Sequence, residues 1–231
     1  IMAGINPFFR EVIVPAMITF AVLAATLLGI PDPLVNAREN GIYRSYKVNG
    51  VPTFSILVIP ILTTMLHLSL IAIIIVTSAP LFFDAPAPAN WLNFLVVFLA
   101  AAFACSGLSV LIGVISSSSR MTVLWSQVVF LPSMMVGGMM FPLSMLPEAA
   151  QKAARLIPAT HAMNAFNGLA MGAAADFSAW GSVATLVLGG LAAFVLALYL
   201  FRWGSHNGGA KRSPLLAGLA LLPYIAGIWL I

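Results

Sequence analysis

Charged residues are scarce in this sequence: only 7% of its 231 residues are Asp, Glu, Lys or Arg, whereas 61% are hydrophobic. Soluble domains usually carry about 25% charged residues. With a mean hydropathy of +1.06, this scarcity excludes an ordinary soluble domain and predicts an integral membrane protein.

Cysteine is nearly absent as well, because Cys105 is the single one. One cysteine excludes a disulfide framework or a cysteine metal cluster within the chain. The net charge of +4 comes from ten basic residues spread over the whole sequence. They form no basic stripe, so we expect no nucleic-acid partner. As a separate expectation, the sequence predicts no catalytic, cofactor or metal site.

A phosphate-binding loop is also missing. The segment GGAKRS, from Gly208 to Ser213, does not fit the G-x-x-x-x-G-K-[ST] pattern, because Lys211 follows Ala210 and not a glycine. The chain is therefore not expected to bind ATP by that route. It is not expected to be an enzyme, and any ATP hydrolysis should occur in a separate subunit.

Charged residues are absent from three long apolar stretches, Phe54 to Leu81, Trp91 to Ser119 and Met121 to Leu146. A charge at the bilayer centre costs about 2.5 to 3.5 kcal/mol on insertion scales, and it is kept where it carries protons or ions. The absence argues against proton-driven transport. Energy for any pumping should come from elsewhere.

Long apolar runs are what the chain does contain. About 20 helical residues cross the hydrocarbon of a bilayer, and five runs reach that length: Val12 to Pro31, Phe54 to Pro80, Trp91 to Ile115, Met121 to Pro142 and Ser178 to Phe201. Pro214 to Ile231 is a weaker, sixth candidate. The predicted fold class is all-α, a polytopic membrane helix bundle of about five to six transmembrane helices.

Basic residues set the expected orientation. Seven fall on one side of the predicted spans and three on the other: Arg38, Arg44, Lys47, Arg120, Arg202, Lys211 and Arg212 against Arg10, Lys152 and Arg155. The excess predicts that the seven are cytoplasmic. The residues before Val12 should then begin outside, which suggests that an earlier span is missing from this sequence.

The loop NARENGIYRSYKVNGVP, from Asn36 to Pro52, is the longest polar and basic interruption in the first half. Asn36 and Glu39 have the spacing of a capping box, which predicts a helix running to about Lys47. Such a helix could be gripped by a soluble partner. The alternative is an interfacial helix that only anchors the loop to anionic lipid.

The segment from Leu143 to Asp176 is too apolar for a free loop, but Pro142, Pro147 and Pro158 divide it into pieces too short to cross. We expect short helices in the outer leaflet.

Within the second span, His67 is a candidate proton relay, although a hydrogen bond to a neighbouring helix is the more common role of a lone histidine.

Three places resemble the membrane domain of ATP-binding-cassette type-2 permeases, including the daunorubicin-resistance type. They are the block from Ala37 to Pro52, the small-residue helix and serine-rich turn from Ala104 to Arg120, and the run from Leu131 to Ala170. The resemblance covers roughly residues 12 to 203. The chain departs from it by lacking a first span and by having residues 214–231 in addition.

The resemblance implies a multi-pass exporter subunit in a bacterial or archaeal cell membrane. Its partners would be an ATP-binding-cassette ATPase, a second permease half in a homodimer or heterodimer, membrane lipid and a small amphipathic substrate such as a drug, lipid or glycan. Residues 37–47 resemble the coupling helix that docks on the ATPase. The implied docking positions are Arg38, Glu39, Gly41, Arg44, Tyr46 and Lys47.

The apolar and adaptable side chains near the end of the fourth span are candidates for the substrate path. They are Phe130, Met134, Met135 and Phe141. Two alternatives to the exporter stay open at this point. One is a passive or ion-coupled carrier that uses His67, and the other is a membrane subunit that only organises its partners.

Overall fold

The computed structural model describes residues 7–204 and 213–230. Within these ranges the regular structure is helical and strand is absent. Four of the helical stretches are long and apolar enough to cross a membrane. The predicted all-α membrane helix bundle is confirmed.

The helices follow one another with short connections. In chain order they are α1 (Pro7–Leu23), α2 (Pro31–Glu39), α3 (Ile42–Val48), α4 (Thr53–Phe83), α5 (Trp91–Ile115), α6 (Ser119–Val136), α7 (Glu148–Ala154), α8 (Pro158–Ala165), α9 (Ala179–Leu200) and α10 (Leu222–Leu230). Single π-helical turns follow α1 and α8, at Ala24–Leu28 and Phe166–Ala170, and 3₁₀ turns lie at Leu143–Met145 and Pro214–Leu221.

The four long apolar stretches are Arg10–Glu39, Thr53–Phe83, Trp91–Ile115 and Ala179–Leu200. They contain or closely match four of the predicted spans. The first stretch is longer than predicted, because the chain stays helical beyond Pro31. Pro31 occupies the first turn of α2, where a missing N–H leaves no hydrogen bond unmade.

The predicted span from Met121 to Pro142 is shorter as a helix, since α6 ends at Val136. Gly138 follows with a φ of +86°, a left-handed conformation that ends the helix. With 18 residues, α6 is not among the four long apolar stretches, and its crossing stays a prediction. The same holds for 214–231, where a 3₁₀ turn and α10 pack against α9.

The centre of the bundle is α5. Of its most apolar window 72% is buried, against 22% for α4. The small residues on α5 permit this burial by letting other helices approach closely. A Cβ placed on Gly107 would lie 2.6 Å from the carbonyl oxygen of Gly190 on α9, and one on Gly113 would lie 3.1 Å from the carbonyl oxygen of Pro31.

The two ends of the bundle can be named by the contacts found there. At the Arg38 end, α2 and α3 meet the last turns of α5 and α9 and the start of α6. At the Arg10 end, Arg10 forms an ion pair with Asp84 after α4. Five of the seven residues predicted to be cytoplasmic lie at the Arg38 end, and Lys211 and Arg212 lie outside the described residues.

Residues 143–176 form short helical pieces, and the breaks before α7 and α8 fall at prolines. Pro147 directly precedes α7, and Pro158 begins α8. Every residue of α8 is buried, so the middle of this segment is packed into the bundle and is not a free loop. The depth of the segment in a leaflet stays a prediction.

Candidate functional site

The loop at the Arg38 end contains two helices, and the single helix predicted from Ala37 to Lys47 is wrong. Ala37, Arg38 and Glu39 are the last residues of α2, and α3 begins after Gly41, which has a φ of +74°. Only glycine adopts this left-handed conformation readily, so the chain turns there. The predicted capping box does not form either, because Asn36 lies inside α2.

Arg38 is buried, with only 8% of its surface exposed. Its Nη1 donates to the carbonyl oxygen of Val114 at 2.9 Å, and its Nη2 donates to that of Ser116. The last carbonyls of a helix have no partner within the helix, and a cation near them is stabilised by the helix dipole. Arg38 therefore caps α5 from inside the bundle, and we do not retain it as a docking residue.

The other predicted docking residues remain accessible. Glu39, Arg44, Tyr46 and Lys47 are exposed, and Gly41 is half-buried at the turn. The structure adds two apolar residues that sequence reasoning did not select. We define the α3 surface as six exposed residues of α3 and the adjacent end of α2: Glu39, Ile42, Arg44, Tyr46, Lys47 and Val48. Val48 is the most exposed of these apolar side chains, at 87%.

Tyr43 holds α3 against the bundle. Its side chain is buried, and its ring centroid lies 5.3 Å from that of Phe201 beyond α9 and 6.3 Å from that of Tyr46. Burial raises the pKa of Tyr43 to about 12, although Arg38 acts in the lowering direction. The inward side of α3 is thus uncharged and packs on protein, which disfavours the lipid-anchor interpretation.

The four predicted substrate-path residues are separated by the structure. Phe130 is buried, with its ring centroid 6.1 Å from that of Phe20 on α1, and Met134 lines a groove. Met135 and Phe141 are 64% and 55% exposed on the outside of the chain. Sequence alone could not separate them, because both faces of this region are apolar.

The groove has a volume of about 360 Å³ and lies between α1, α4 and the end of α6. Every residue that lines it is apolar. The lining residues are Ala16, Met17, Phe20, Ala21, Ile75, Met134, Met139 and Met140. Methionine side chains are flexible and polarisable, so a groove of this composition can adapt to hydrophobic ligands of different shape.

His67 does not join a polar pathway within the described part of the chain. It lies exposed near the middle of α4, and its Nδ1 is hydrogen-bonded at 2.8 Å to the carbonyl oxygen of Thr63 on the same helix. The described residues also contain no group of three His, Cys, Asp or Glu side chains that could hold a metal ion. Nothing in this geometry favours the carrier hypothesis.

A comparison with known families supplies the identification that this geometry supports. Residues 4–199 match a family described as ABC-2 family transporter protein. Comparisons with curated proteins and with solved structures gave no match. The matched range includes both the α3 surface and the groove, and it ends before α10. The chain belongs to the ABC-2 transporter family, and it is an integral membrane transport permease.

Proposed function

We propose that the chain is the transmembrane permease subunit of an ATP-driven exporter. It works with a separate ATP-binding-cassette ATPase and a second permease half, in the cell membrane of a bacterium or archaeon. The substrate is amphipathic or hydrophobic and leaves the cytoplasm. The observation that carries this proposal is the α3 surface.

The α3 surface has the composition of a protein-binding site. It combines the charges of Arg44 and Lys47 with the exposed apolar side chains of Ile42 and Val48, and protein interfaces combine apolar and polar residues in this way. Tyr43 fixes the opposite side of the helix to the bundle. A soluble partner that binds α3 would therefore hold the membrane helices and not a loose loop.

The positions of the charged residues in the bundle favour an energy source outside the membrane. In the part of the chain that the structure describes, the ion pair between Arg10 and Asp84 lies at the end of the bundle, and both side chains are exposed. The helices α4 and α5 contain no charged residue. Ion-driven transporters keep ionisable groups inside the membrane, so a nucleotide hydrolase bound at α3 is the better source of work.

The apolar groove supports a substrate with a hydrophobic part. Met134 is the one predicted path residue among its lining side chains, and we keep it as a substrate contact, with Phe130 supporting Phe20 from behind. A charged or strongly polar molecule would lose its hydration there without gaining hydrogen bonds. Drugs, lipids and glycan carriers with apolar chains fit this requirement.

The outward face of α6 supports the second permease half. Five of its exposed apolar residues follow the alternating three- and four-residue spacing of a helix seam: Met121, Leu124, Val128, Leu131 and Met135. The inward face carries the buried Thr122, Ser126 and Ser133. A second copy or a related chain packed along this face would also enclose Met135.

Reversing the charges of α3 should separate the chain from its ATPase. We expect the double variant Arg44→Glu and Lys47→Glu to reduce copurification with the ATPase at least tenfold, about 1.4 kcal/mol of binding free energy. Two acidic residues would oppose a partner surface suited to basic ones. The measurement is the amount of co-expressed P-loop protein from the neighbouring coding region that stays bound after affinity purification.

The matched control is Arg120→Glu. Arg120 is also exposed at the Arg38 end, but it lies in the first turn of α6 and is not part of the α3 surface. It should keep normal association. The proposal that the ATPase docks at α3 would be contradicted if the double variant and the unaltered chain copurified equally with the ATPase and showed equal ATP-dependent transport in vesicles.

A further inference from the structure

The end of α2 is tied to the turn between α5 and α6 by side chains that are distant in sequence. Arg38 donates to the carbonyl oxygens of Val114 and Ser116. Asn36 accepts a hydrogen bond of 2.9 Å from the hydroxyl of Ser119, and its amide nitrogen donates to Asp32 at 2.8 Å. We call Asn36 and Arg38, with these partners, the α2 clamp.

The two connections of α3 to the membrane helices differ. On the α2 side the chain passes through only Asn40 and Gly41, and the amide of Asn40 is still bonded to the carbonyl of Asn36 at 2.9 Å. On the α4 side it passes through residues 49–52, with Asn49 and Gly50 exposed and Gly50 at a φ of +74°. Displacement of α3 is thus passed on most directly to α2 and the clamp.

The clamp is joined to the opposite end of the bundle through α5. This helix is a continuous rod of 25 residues that is locked to α9 by the close approach of Gly107 and Gly190. At its far end, Asn93 donates to the carbonyl of Leu169 at 3.2 Å, and the amide of Asn90 donates to the carbonyl of Ala170 at 3.1 Å. A shift of α5 must therefore reach the segment at the Arg10 end.

We propose that Arg38 is a positioning residue that transmits movement of α3 into α5, with Asn36 transmitting it into α6. The proposal rests on the proposed docking of an ATPase at α3. Arg38 does not touch the ATPase or the substrate. It converts a push on α3 into a shift of the most buried of the four long helical stretches, because its guanidinium bridges two carbonyls at the end of α5 in a fixed fork.

The first test uses the chain alone, in nanodiscs, with spin labels at Arg44→Cys on α3 and Arg120→Cys on α6 in a Cys105→Ala background. In the chain with Arg38 we expect a narrow distance distribution. Arg38→Met should widen it at least twofold, and Arg38→Lys should give an intermediate width, since an ammonium group can reach one carbonyl. Arg10→Met, at the other end of the bundle, serves as the control. Equal widths with and without the Arg38→Met substitution would overturn the clamp.

The second test uses the complex with the ATPase, labelled at the Arg10 end through Leu81→Cys and Leu92→Cys, two exposed positions before and after the turn between α4 and α5. With Arg38 present, ATP and vanadate should shift the distance between the labels. Arg38→Met should remove at least half of this shift while the ATPase stays bound and traps nucleotide normally. A full shift in that variant overturns the proposal.

Two features keep this test decisive. If Arg38→Met does not fold, Arg38→Lys takes its place, since its ammonium group can reach only one of the two carbonyls and it should still reduce the shift. If the unaltered chain binds no ATPase, the proposed function fails before any variant is compared, and this inference fails with it. Loss of the shift despite normal nucleotide trapping is the result that supports transmission.

Discussion

Gly190→Val is expected to prevent stable folding of the bundle. A Cβ at this position would lie 2.8 Å from Cα of Ala104 and 2.8 Å from the ring of Phe103 on α5. The nearest atom belongs to backbone, so it cannot move aside as the end of a flexible side chain can. The cost should reach about 3 kcal/mol, the upper part of the usual range for overpacking. The measurement is the yield of monodisperse protein in detergent together with its Tm.

Gly218→Val is the matched control, because a Cβ there has nothing within 4 Å. It should leave yield and Tm almost unchanged. Gly189→Val gives an intermediate case, since its new side chain would meet the ring of Tyr224 on α10 at 2.5 Å and that ring belongs to a shorter, peripheral helix. Normal folding of Gly190→Val would show that α5 and α9 do not pack as closely as described.

These adjacent glycines show what the sequence could predict about packing. The small residues of α5 and the pair Gly189 and Gly190 indicate close helix approach, and the apolar runs indicate which segments are long helices. Which helix approaches each glycine cannot be predicted from one sequence, because the partner is chosen by the whole bundle. In the structure the two glycines serve different neighbours, α10 and α5.

The loop of the candidate site was predicted between the helices that flank it, but its internal structure was not, and its docking role stays a prediction. The loop around Arg44 and Lys47 is where the sequence puts it. The capping-box prediction was wrong because Asn36 lies inside α2, where its side chain bonds to Asp32 and to Ser119, which is 83 residues away. Arg38 bonds to the carbonyls of Val114 and Ser116, which are 76 and 78 residues away. A local motif cannot reveal such partners. An arginine seven positions after the end of an apolar run, with a glycine three positions later, was the one available signal for a buried cap.

The residues chosen for the substrate path show a second limit of prediction from sequence. Phe130, Met134, Met135 and Phe141 were chosen for their chemistry, and chemistry alone does not say which face of a helix they occupy. In a membrane both the inward and the outward faces of α6 can be apolar, so hydrophobic periodicity loses its meaning. Here the inward face even carries more polar residues, Thr122, Ser126 and Ser133, than the outward one.

Asn164→Leu is the second substitution that should cause a large loss of stability. Asn164 is only 3% exposed, and its amide makes four hydrogen bonds. Nδ2 donates to the carbonyl of Phe177 and to Oγ of Ser182, both at 2.9 Å, and Oδ1 accepts from the amides of Asp176 and Phe177 at 2.8 and 3.3 Å. This one side chain therefore fixes the path by which the chain returns from α8 to α9.

Leucine keeps most of the volume of Asn164 but leaves these partners without hydrogen bonds. Each unmade bond of a buried group costs about 1 to 3 kcal/mol, and since some of the partners can turn towards water, we expect a total loss of about 3 kcal/mol. The exposed residues 172–176 should then become sensitive to protease before the rest of the chain unfolds. Limited proteolysis, with the Tm measured in parallel, tests this order of events.

Asn93→Leu is the matched control, because Asn93 is half-buried and its side chain donates a single bond of 3.2 Å to the carbonyl of Leu169. The Asn93→Leu variant should lose no more than about 1 kcal/mol of stability. If Asn164→Leu and Asn93→Leu gave the same Tm and the same cleavage pattern, the return segment would be held by its apolar contacts, such as those of Phe166 and Phe177, and not by the amide of Asn164. The expected difference between the two variants follows from the number of buried partners that each asparagine satisfies.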